Sequence, residues 1–326
     1  MSNKEFQKHQ PLPIIAQLSV LLLIFGGLFA TLFFIQDSSA KNKQLVAAPL
    51  AVEELPTAIS TPEKIESVTL RAASAFVWDV NEQRALYSKN ADEQLPLASI
   101  TKLMTTLLTY ELFDTETRAT LPLTAIMQSG DNGLVEGEEF TTGQLLELAL
   151  ISSSNDAAFA LGATVGGALG NQDPTSQFVS GMNIRAEELG LDSLLFKNTT
   201  GLDLSTVEPG AVGTAKDVSF LMEYIIRNYP ELLEATTQQN MRVYNTDGDY
   251  HDAFNTNEIV SNIPNLLGSK TGYTDLAGGN LTIAFDLGLN HPVIVTVLGS
   301  TREGRFSDVQ TLVRAVQESM VTEKSN

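Results

Sequence analysis

The chain contains no cysteine, and this absence excludes several kinds of chemistry. Disulfide bonds, zinc–thiolate sites, iron–sulfur clusters and cysteine nucleophiles all require that side chain. Histidine is scarce as well, with only His9, His251 and His291 among 326 residues. A serine–histidine–aspartate triad needs only one histidine, so the last two leave it possible. Neither of them, however, lies in a recognisable catalytic motif. Any catalytic nucleophile must therefore be a residue other than cysteine.

Positive charge is also in short supply. Lysine and arginine number 20 against 39 aspartates and glutamates, which gives a net charge of −19. Such a protein repels phosphate backbones, so we expect no nucleic-acid partner. The apolar fraction of 43% is ordinary for a folded protein. A chain of this length can form one large domain or two modest ones with a full-sized core.

One apolar run near the start of the chain, Ile14–Ile35, carries no charged residue. As a helix it extends about 33 Å, which matches the hydrocarbon thickness of a bilayer. The apolar region of a cleaved signal peptide is shorter, about 7–15 residues. The sequence therefore predicts a retained, single-pass anchor in the cytoplasmic membrane, with residues 1–13 in the cytoplasm and the folded domain outside. Secretion after cleavage near Ala40 is the alternative.

The rest of the chain divides by composition and periodicity. Residues 36–66 show neither a helical nor a strand period and contain three prolines, which predicts a flexible linker. Residues 67–320 contain two strands, a block of helices, three strands and a last helix, followed by a tail at 321–326. This order predicts an α/β (α+β) domain, in which one antiparallel sheet is built from both chain ends and the helical subdomain is inserted between them.

Three short polar motifs follow one another in this domain. Ser99-Ile100-Thr101-Lys102 opens an apolar helical segment that we expect to run over 97–112, Ser153-Ser154-Asn155 falls between two predicted helices, and Lys270-Thr271-Gly272 falls on a predicted strand. Each motif alone is weak, because Ser38–Lys41 and Ser88–Asn90 fit two of the same patterns by chance. The ordered set in suitable structural settings is informative.

The first motif has the chemistry of an activated serine. A serine hydroxyl is a poor nucleophile until a base removes its proton. The i, i+3 spacing places Lys102 on the same helical face as Ser99. Burial beside Leu103 and Leu107 disfavours the ammonium form, so Lys102 can act as that base. The helix N-terminus under Ser99 offers backbone N–H groups to an oxyanion.

The other two motifs provide groups that bind a substrate. Ser153 can relay a proton, and Asn155 can hold a substrate amide. Lys270 and Thr271 provide a cation and a hydroxyl for an anionic group. Gly272 allows a close approach of substrate to the strand edge.

From about Ala73 to Leu312 the chain resembles the low-molecular-mass penicillin-binding proteins that are serine-type D-alanyl-D-alanine carboxypeptidases, whose fold is β-lactamase/transpeptidase-like. The resemblance is carried by the motifs and their flanks: NADEQLPLASITKLMTTLL, VEGEEFTTGQLLELALISSSNDAAFALG, MNIRAEELGLDSLLFKNTTGLD, GTAKDVSFLMEYII, NTNEIVSNIPNLLGSKTGYTDLAGGNLTIA and VLGSTREGRFSDVQTL. Ser154 and Ser269 depart from the smaller or more apolar residues usual at their positions.

The resemblance implies a role for each matching residue. Ser99 becomes the acylated nucleophile and Lys102 its base. Ser153, Asn155, Lys270 and Thr271 become the remaining motif residues. The backbone N–H groups of Ser99 and Tyr273 would form the oxyanion hole, and Arg305 would help to bind the terminal carboxylate of the substrate.

The activity implied is removal of terminal D-alanine from peptidoglycan stem peptides through an acyl-enzyme. β-Lactams would be covalent inhibitors, and neither a cofactor nor a metal is expected. Three alternatives remain: a D,D-endopeptidase of peptidoglycan cross-links, a class A-like β-lactamase and a non-catalytic β-lactam sensor or wall-binding module. The β-lactamase is disfavoured because no Glu-x-x-Leu-Asn string lies between the second and third motifs.

Overall fold

Apolar strands from both ends of the domain form one sheet. The structure is a computed structural model, and it describes residue 65 and residues 68–130, 133–170 and 173–323. The described residues belong to one unit, Ala58–Asn326. The predicted cytoplasmic segment 1–13 and membrane anchor Ile14–Ile35 lie outside the described residues. No helix in the described ranges combines the length and apolar character needed to cross a bilayer.

The elements are numbered in chain order. The strands are β1 (Ser74–Asp79), β2 (Arg84–Lys89), β3 (Leu95–Pro96), β4 (Arg118–Thr120), β5 (Glu139–Thr141), β6 (Leu195–Phe196), β7 (Ala211–Gly213), β8 (Asn240–Tyr244), β9 (Tyr250–Phe254), β10 (Leu266–Thr274), β11 (Gly278–Asp286) and β12 (Pro292–Ser300). The α-helices are α1 (Lys102–Leu112), α2 (Leu123–Ile126), α3 (Thr142–Ile151), α4 (Asn155–Leu169), α5 (Pro174–Glu188), α6 (Ala215–Asn228) and α7 (Gly304–Glu323). Three 3₁₀ segments are Ala98–Thr101, Pro230–Thr237 and Val260–Asn262.

The main sheet has the strand order β10-β11-β12-β1-β2, and all four pairings are antiparallel. Ser74 of β1 lies opposite Leu298 of β12, so the first strand of the domain pairs with the last. This arrangement confirms the prediction of an antiparallel sheet built from both chain ends. The helical elements α1–α6 lie between β2 and β10 along the chain, as the predicted insertion requires.

Both faces of the sheet are covered, which explains why its central strands are buried along most of their length and are largely apolar. On one face, Val309, Leu312 and Val316 of α7 join a core cluster with strand residues such as Val77 and Val295. On the other face, the helical block forms a second, larger cluster that includes Leu103 and Leu107 of α1. Burial on both sides leaves the sheet exposed chiefly at its edges.

β10 is an edge strand, with β11 as its one partner in this sheet. Beside it lies the 3₁₀ segment Ala98–Thr101, whose backbone is so close that a Cβ on Gly272 would lie 2.7 Å from the carbonyl oxygen of Leu97 and 3.2 Å from the backbone nitrogen of Ser99. The first and third motifs are thereby adjacent.

The domain boundaries differ slightly from the composition-based prediction. Ile65, which we placed in the linker, is 9% exposed and belongs to the core cluster beneath α7. The last helix continues to Glu323, so the predicted boundary at residue 320 falls inside it. The hairpin β8–β9 was not predicted, because its strands are short and half of their residues are polar.

Candidate active site

Ser99 lies in a strained turn rather than in a regular helix. We predicted a helix that begins at Leu97, but Ala98–Thr101 is a 3₁₀ segment and the α-helix begins only at Lys102. Ala98 has a φ of +48°, a conformation that costs energy for a residue with a side chain. A tight 3₁₀ turn is common where a helix begins. Ser99 is therefore partly exposed and lies just before the N-terminal end of a buried helix.

Lys102 is fully buried, and its ammonium nitrogen touches three oxygens. The Nζ atom lies 3.0 Å from Ser99 Oγ, 2.7 Å from Asn155 Oδ1 and 2.9 Å from the Thr200 carbonyl oxygen. Burial disfavours the charged form and lowers the pKa of Lys102 to about 7, against the smaller opposing effect of Asp156. The lysine is therefore close to half-neutral at physiological pH.

The neutral amine fits these three contacts well. A neutral lysine has two N–H donors and one lone pair. The side-chain oxygen of Asn155 and the carbonyl of Thr200 can only accept, so each takes one N–H. The lone pair then faces the Ser99 hydroxyl, which can donate its own proton. This is the geometry of a general base that is ready to remove the serine proton.

The second motif joins α3 to α4. Ser153 has a φ of +60° in this connection, and Asn155 begins α4. Asn155 is held from both sides of its amide, because its Nδ2 donates to the Ser129 carbonyl at 2.6 Å while its Oδ1 accepts from Lys102. Ser154, one of the two departures from the usual pattern, is the N-cap of α4 and accepts from the backbone nitrogen of Ala157. Its hydroxyl stabilises the helix.

The third motif meets the second through Lys270. Its Nζ donates to Ser153 Oγ at 2.8 Å and to the Thr271 carbonyl at 2.9 Å. Lys270 is 1% exposed, and burial together with the nearby cations Lys102 and Arg305 holds its pKa well below the ordinary lysine value. A bound anion would relieve this repulsion. The three motifs therefore form one connected network that runs from Ser99 to Thr271.

Thr271 and Ser269 are two residues apart on β10, so they lie on the same face of the strand, but they have different partners. The Thr271 hydroxyl lies 2.6 Å from the Thr256 hydroxyl, beside the Ser99 cavity. Ser269, the second departure, accepts from the buried Asn257 Nδ2 at 3.1 Å. It fixes the segment before β10 and does not line that cavity.

Gly272 has a different role from the one we predicted. We expected the missing side chain to admit a substrate, but the backbone of the Ser99 turn already occupies that space. The carbonyl of Gly272 also accepts from Arg305 Nη1 at 2.8 Å. The glycine thus allows the strand to pack against the nucleophile segment, and Arg305 is fixed to the same point.

Arg305, in the first turn of α7, is 6% exposed, and its Nε is buried without a hydrogen-bond partner among the described residues. Burial, and then the neighbouring Arg302, lower the pKa of this guanidinium. Buried unpaired donors are rare outside functional sites. Tyr273, by contrast, is 42% exposed, and Arg302 lies over its ring at 5.2 Å from the centroid.

These residues surround a cavity of about 340 Å³, hereafter the serine cavity. Its lining consists of Ser99, Gly130, Ser152, Ser153, Asn155, Thr256, Thr271, Gly272, Tyr273, Arg302 and Arg305. The lining has two charged residues, Arg302 and Arg305. Neither forms a salt bridge within the described part of the chain. A serine hydroxyl in contact with a buried amine and two arginine side chains therefore meet in one concave site.

Three contributors to this site were not predicted. The carbonyls of Thr200 and Ser129 act through the backbone, which carries no side-chain signal in the sequence. Thr256 reaches Thr271 from the flank of the third motif, to which we assigned no role from the sequence. The glycine that follows Thr200 was a weak signal in the sequence. Gly201 has a φ of +80°, and a Cβ there would lie 1.9 Å from the Ala98 carbonyl oxygen.

Comparisons with known proteins agree with this geometry. The sequence profile of the D-alanyl-D-alanine carboxypeptidase family matches residues 58–302. The D-alanyl-D-alanine carboxypeptidase DacF of Bacillus subtilis is 32% identical over 74% of this chain and 61% of its own length. A D-alanyl-D-alanine endopeptidase of Pseudomonas aeruginosa is 30% identical over 78% of this chain and 79% of its own length.

Solved structures show the same fold. Penicillin-binding protein D2 from Listeria monocytogenes, in its ampicillin-bound form, is 31% identical with a TM-score of 0.64, and the match covers 76% of this chain and 98% of that chain. A mutant of a Streptomyces DD-transpeptidase is 22% identical with a TM-score of 0.69 and has the same fold over 76% of this chain and 98% of its own. The chain spans less than two thirds of the Bacillus relative.

Proposed function

Since the chain belongs to the D-alanyl-D-alanine carboxypeptidase family, we propose that it is a serine D,D-carboxypeptidase that removes the terminal D-alanine from peptidoglycan stem peptides. The observation that carries this proposal is the contact between the buried Lys102 amine and the Ser99 hydroxyl, in a cavity with a cationic wall. Ser99 attacks the carbonyl of the penultimate D-alanine, and its proton passes to Lys102. The C–N bond then breaks, the departing D-alanine takes up a proton, and water hydrolyses the resulting ester.

The edge position of β10 supports the way in which a peptide would bind. An extended peptide can pair with the free edge of a strand. Such a peptide would pass Ser99 with its C-terminal carboxylate toward Thr271 and Arg305. In this proposal the Ser153 hydroxyl, which accepts a hydrogen bond from Lys270, passes a proton toward the departing amine. The backbone N–H groups of Ser99 and Tyr273 are the oxyanion donors in this proposal.

We also propose that β-lactams are covalent inhibitors that acylate Ser99. They carry a reactive amide and a carboxylate, so the serine and the cationic wall can act on both. The ampicillin-bound form of the Listeria relative concerns that protein, and its similarity to this chain supports the proposal.

D,D-endopeptidase activity on peptidoglycan cross-links is the second candidate. It is favoured by the endopeptidase relatives from Pseudomonas aeruginosa and Escherichia coli, of which this chain covers 79% and 85%. Incubation of the full-length protein with isolated sacculi, followed by muropeptide analysis, separates the two activities. A carboxypeptidase shortens free pentapeptides to tetrapeptides, whereas an endopeptidase converts cross-linked dimers to monomers. No change in either class would contradict both activities.

Arg305→Ala is expected to reduce kcat/KM toward a peptide ending in D-Ala-D-Ala by about 10- to 100-fold, because a hydrogen bond to a charged group contributes about 1.5–3 kcal/mol. The same peptide with an amidated C-terminus should be a poor substrate and should lose much less activity. Release of D-alanine or its amide measures both. Arg314→Ala, an exposed arginine on the same helix, is the control. An equal loss on both peptides would show that Arg305 does not bind the carboxylate.

We also propose that Ile14–Ile35 remains attached and holds the catalytic domain outside the cytoplasmic membrane through the linker. The uncharged run and the extracytoplasmic location of peptidoglycan support this arrangement. N-terminal sequencing of the protein recovered from its host is expected to begin within the first few residues. A start near Lys41 would instead indicate a cleaved signal and a secreted enzyme.

A further inference from the structure

A second, larger cavity adjoins the serine cavity. Its volume is about 760 Å³, and it shares Tyr273 with the smaller one. Ser129 lines the second cavity and its neighbour Gly130 lines the first. The second cavity, hereafter the side cavity, extends from the end of β10 toward α4 and α5. Phe159 and Val179 contribute apolar walls to it.

The two cavities carry opposite charge. The charged residues that line the serine cavity are Arg302 and Arg305, whereas those that line the side cavity are Lys197, Asp203 and Asp275. A ligand that spans both is therefore expected to be anionic at one end and cationic at the other.

The negative charge of the side cavity is not neutralised from within. Lys197 forms a salt bridge at 2.8 Å with Glu208, which does not line the cavity. The two carboxylate oxygens of Asp203 accept from the Thr274 hydroxyl and the Leu276 backbone nitrogen, which are neutral donors.

Asp275 differs from these two residues. It is exposed, and its carboxylate forms neither a hydrogen bond nor a salt bridge with the residues that the structure describes. It is therefore available to a cationic group that enters the cavity from solvent.

The register of an extended substrate leads into this cavity. A strand advances about 3.3 Å per residue. The two cavities follow each other along the end of β10, from Thr271 to Tyr273, and the side cavity continues to Asp275, the residue after the strand. With the C-terminal carboxylate at Thr271, the residue two places before it lies about 7 Å along the strand. That position is the start of the side cavity.

We propose that the side cavity selects the residue preceding D-Ala-D-Ala, and that it favours a flexible aliphatic side chain ending in a free amine. Asp275 is the specificity-determining carboxylate, and Phe159 and Val179 contact the methylene groups. This inference rests on the proposed function. It adds that the enzyme prefers stem peptides whose amine is free over those in which the amine is already an amide in a cross-link, because an amide carries no charge.

Three synthetic peptides test the proposal with the full-length protein in detergent. They are Nα-acetyl-lysyl-D-Ala-D-Ala, its Nε-acetylated form and the norleucine analogue, which retains the aliphatic chain without the amine. D-Alanine release should give a kcat/KM about two- to fivefold higher for the free amine, the scale of one exposed ion pair. Added salt should reduce this preference, because the contact is exposed to solvent.

Asp275→Asn should bring the lysine-to-norleucine ratio close to one. Asp192→Asn, which removes the same charge from an exposed loop outside both cavities, should retain the wild-type ratio. Equal hydrolysis of the three peptides by the wild type would overturn the proposal, and an unchanged ratio in Asp275→Asn would remove that residue from it. Failure to hydrolyse any peptide, with no β-lactam adduct at Ser99, would overturn the proposed function as well.

Discussion

Ser99→Ala is expected to abolish covalent capture of benzylpenicillin and to remove D-alanine release to the limit of detection. Among the residues that line the serine cavity, Ser99 has the one hydroxyl that contacts the amine of Lys102. Ser153, the other serine hydroxyl near a lysine, accepts from Lys270 and is separated from that base. Loss of Ser99 therefore leaves no activated nucleophile among the described residues.

Intact-mass spectrometry of the penicillin-treated protein, followed by peptide mapping, checks this result. The wild type should gain one benzylpenicillin mass on the peptide that contains Ser99. Ser38→Ala is the matched control, because Ser38 and Lys41 have the same spacing as Ser99 and Lys102. That variant should be acylated like the wild type. An adduct that persists in Ser99→Ala, or that maps to Ser153, would disprove the assignment of the nucleophile.

The sequence predicted the fold well because its signals are local and repeated. The largely apolar strands β11 and β12 and the helical spacing around Leu103 and Leu107 reflect burial, which the pattern of apolar residues in the sequence reports directly. Strands at both ends of the domain, with helices between them, then indicated one antiparallel sheet built from both ends. Side chains with distinctive chemistry, such as Lys102 in an apolar helix, were found for the same reason.

Features that depend on backbone geometry were not predicted. The Thr200 carbonyl, which accepts from Lys102, could have been supplied by any residue. The 3₁₀ segment around Ser99 packs closely against Gly201 and Gly272, which are distant in sequence. The role of Gly272 was misassigned because the sequence gives no indication of which neighbour comes close. Such features need the three-dimensional arrangement of the chain.

The side cavity illustrates the same limit. Asp275 lies two residues after the exposed Tyr273, in a stretch that the family resemblance covers. No local pattern separates it from the other acidic residues of a chain with a net charge of −19. Its significance comes from the adjacent arginine-lined cavity and from the position of β10 at the sheet edge.

Lys102→Ala is expected to slow acylation by benzylpenicillin about 10²- to 10⁴-fold, the usual effect of losing a general base. Ser99 remains in place in this variant, but no neutral amine is left to take its proton. The second-order rate constant of acylation, followed with a fluorescent penicillin, measures the loss. Lys102→Met retains most of the side-chain volume and provides a second variant if the alanine leaves too large a cavity. Lys216→Ala, which removes a partly exposed lysine paired with the exposed Asp92, is the control.

The pH dependence separates a base from a structural lysine. Because the pKa of Lys102 is lowered to about 7, wild-type acylation should rise with pH up to about 7 and then level off. The slow reaction of Lys102→Met should lack this rise.

The contribution of Lys102 to the free energy of unfolding also increases with pH. The unfolded chain binds a proton on Lys102 up to its ordinary pKa of 10.5 while the folded protein has released it above about 7, so the free energy of unfolding gains from this group as pH rises between these values. Lys102→Met should lose that gain. Near wild-type acylation in both variants, with an unchanged pH profile, would exclude Lys102 as the base.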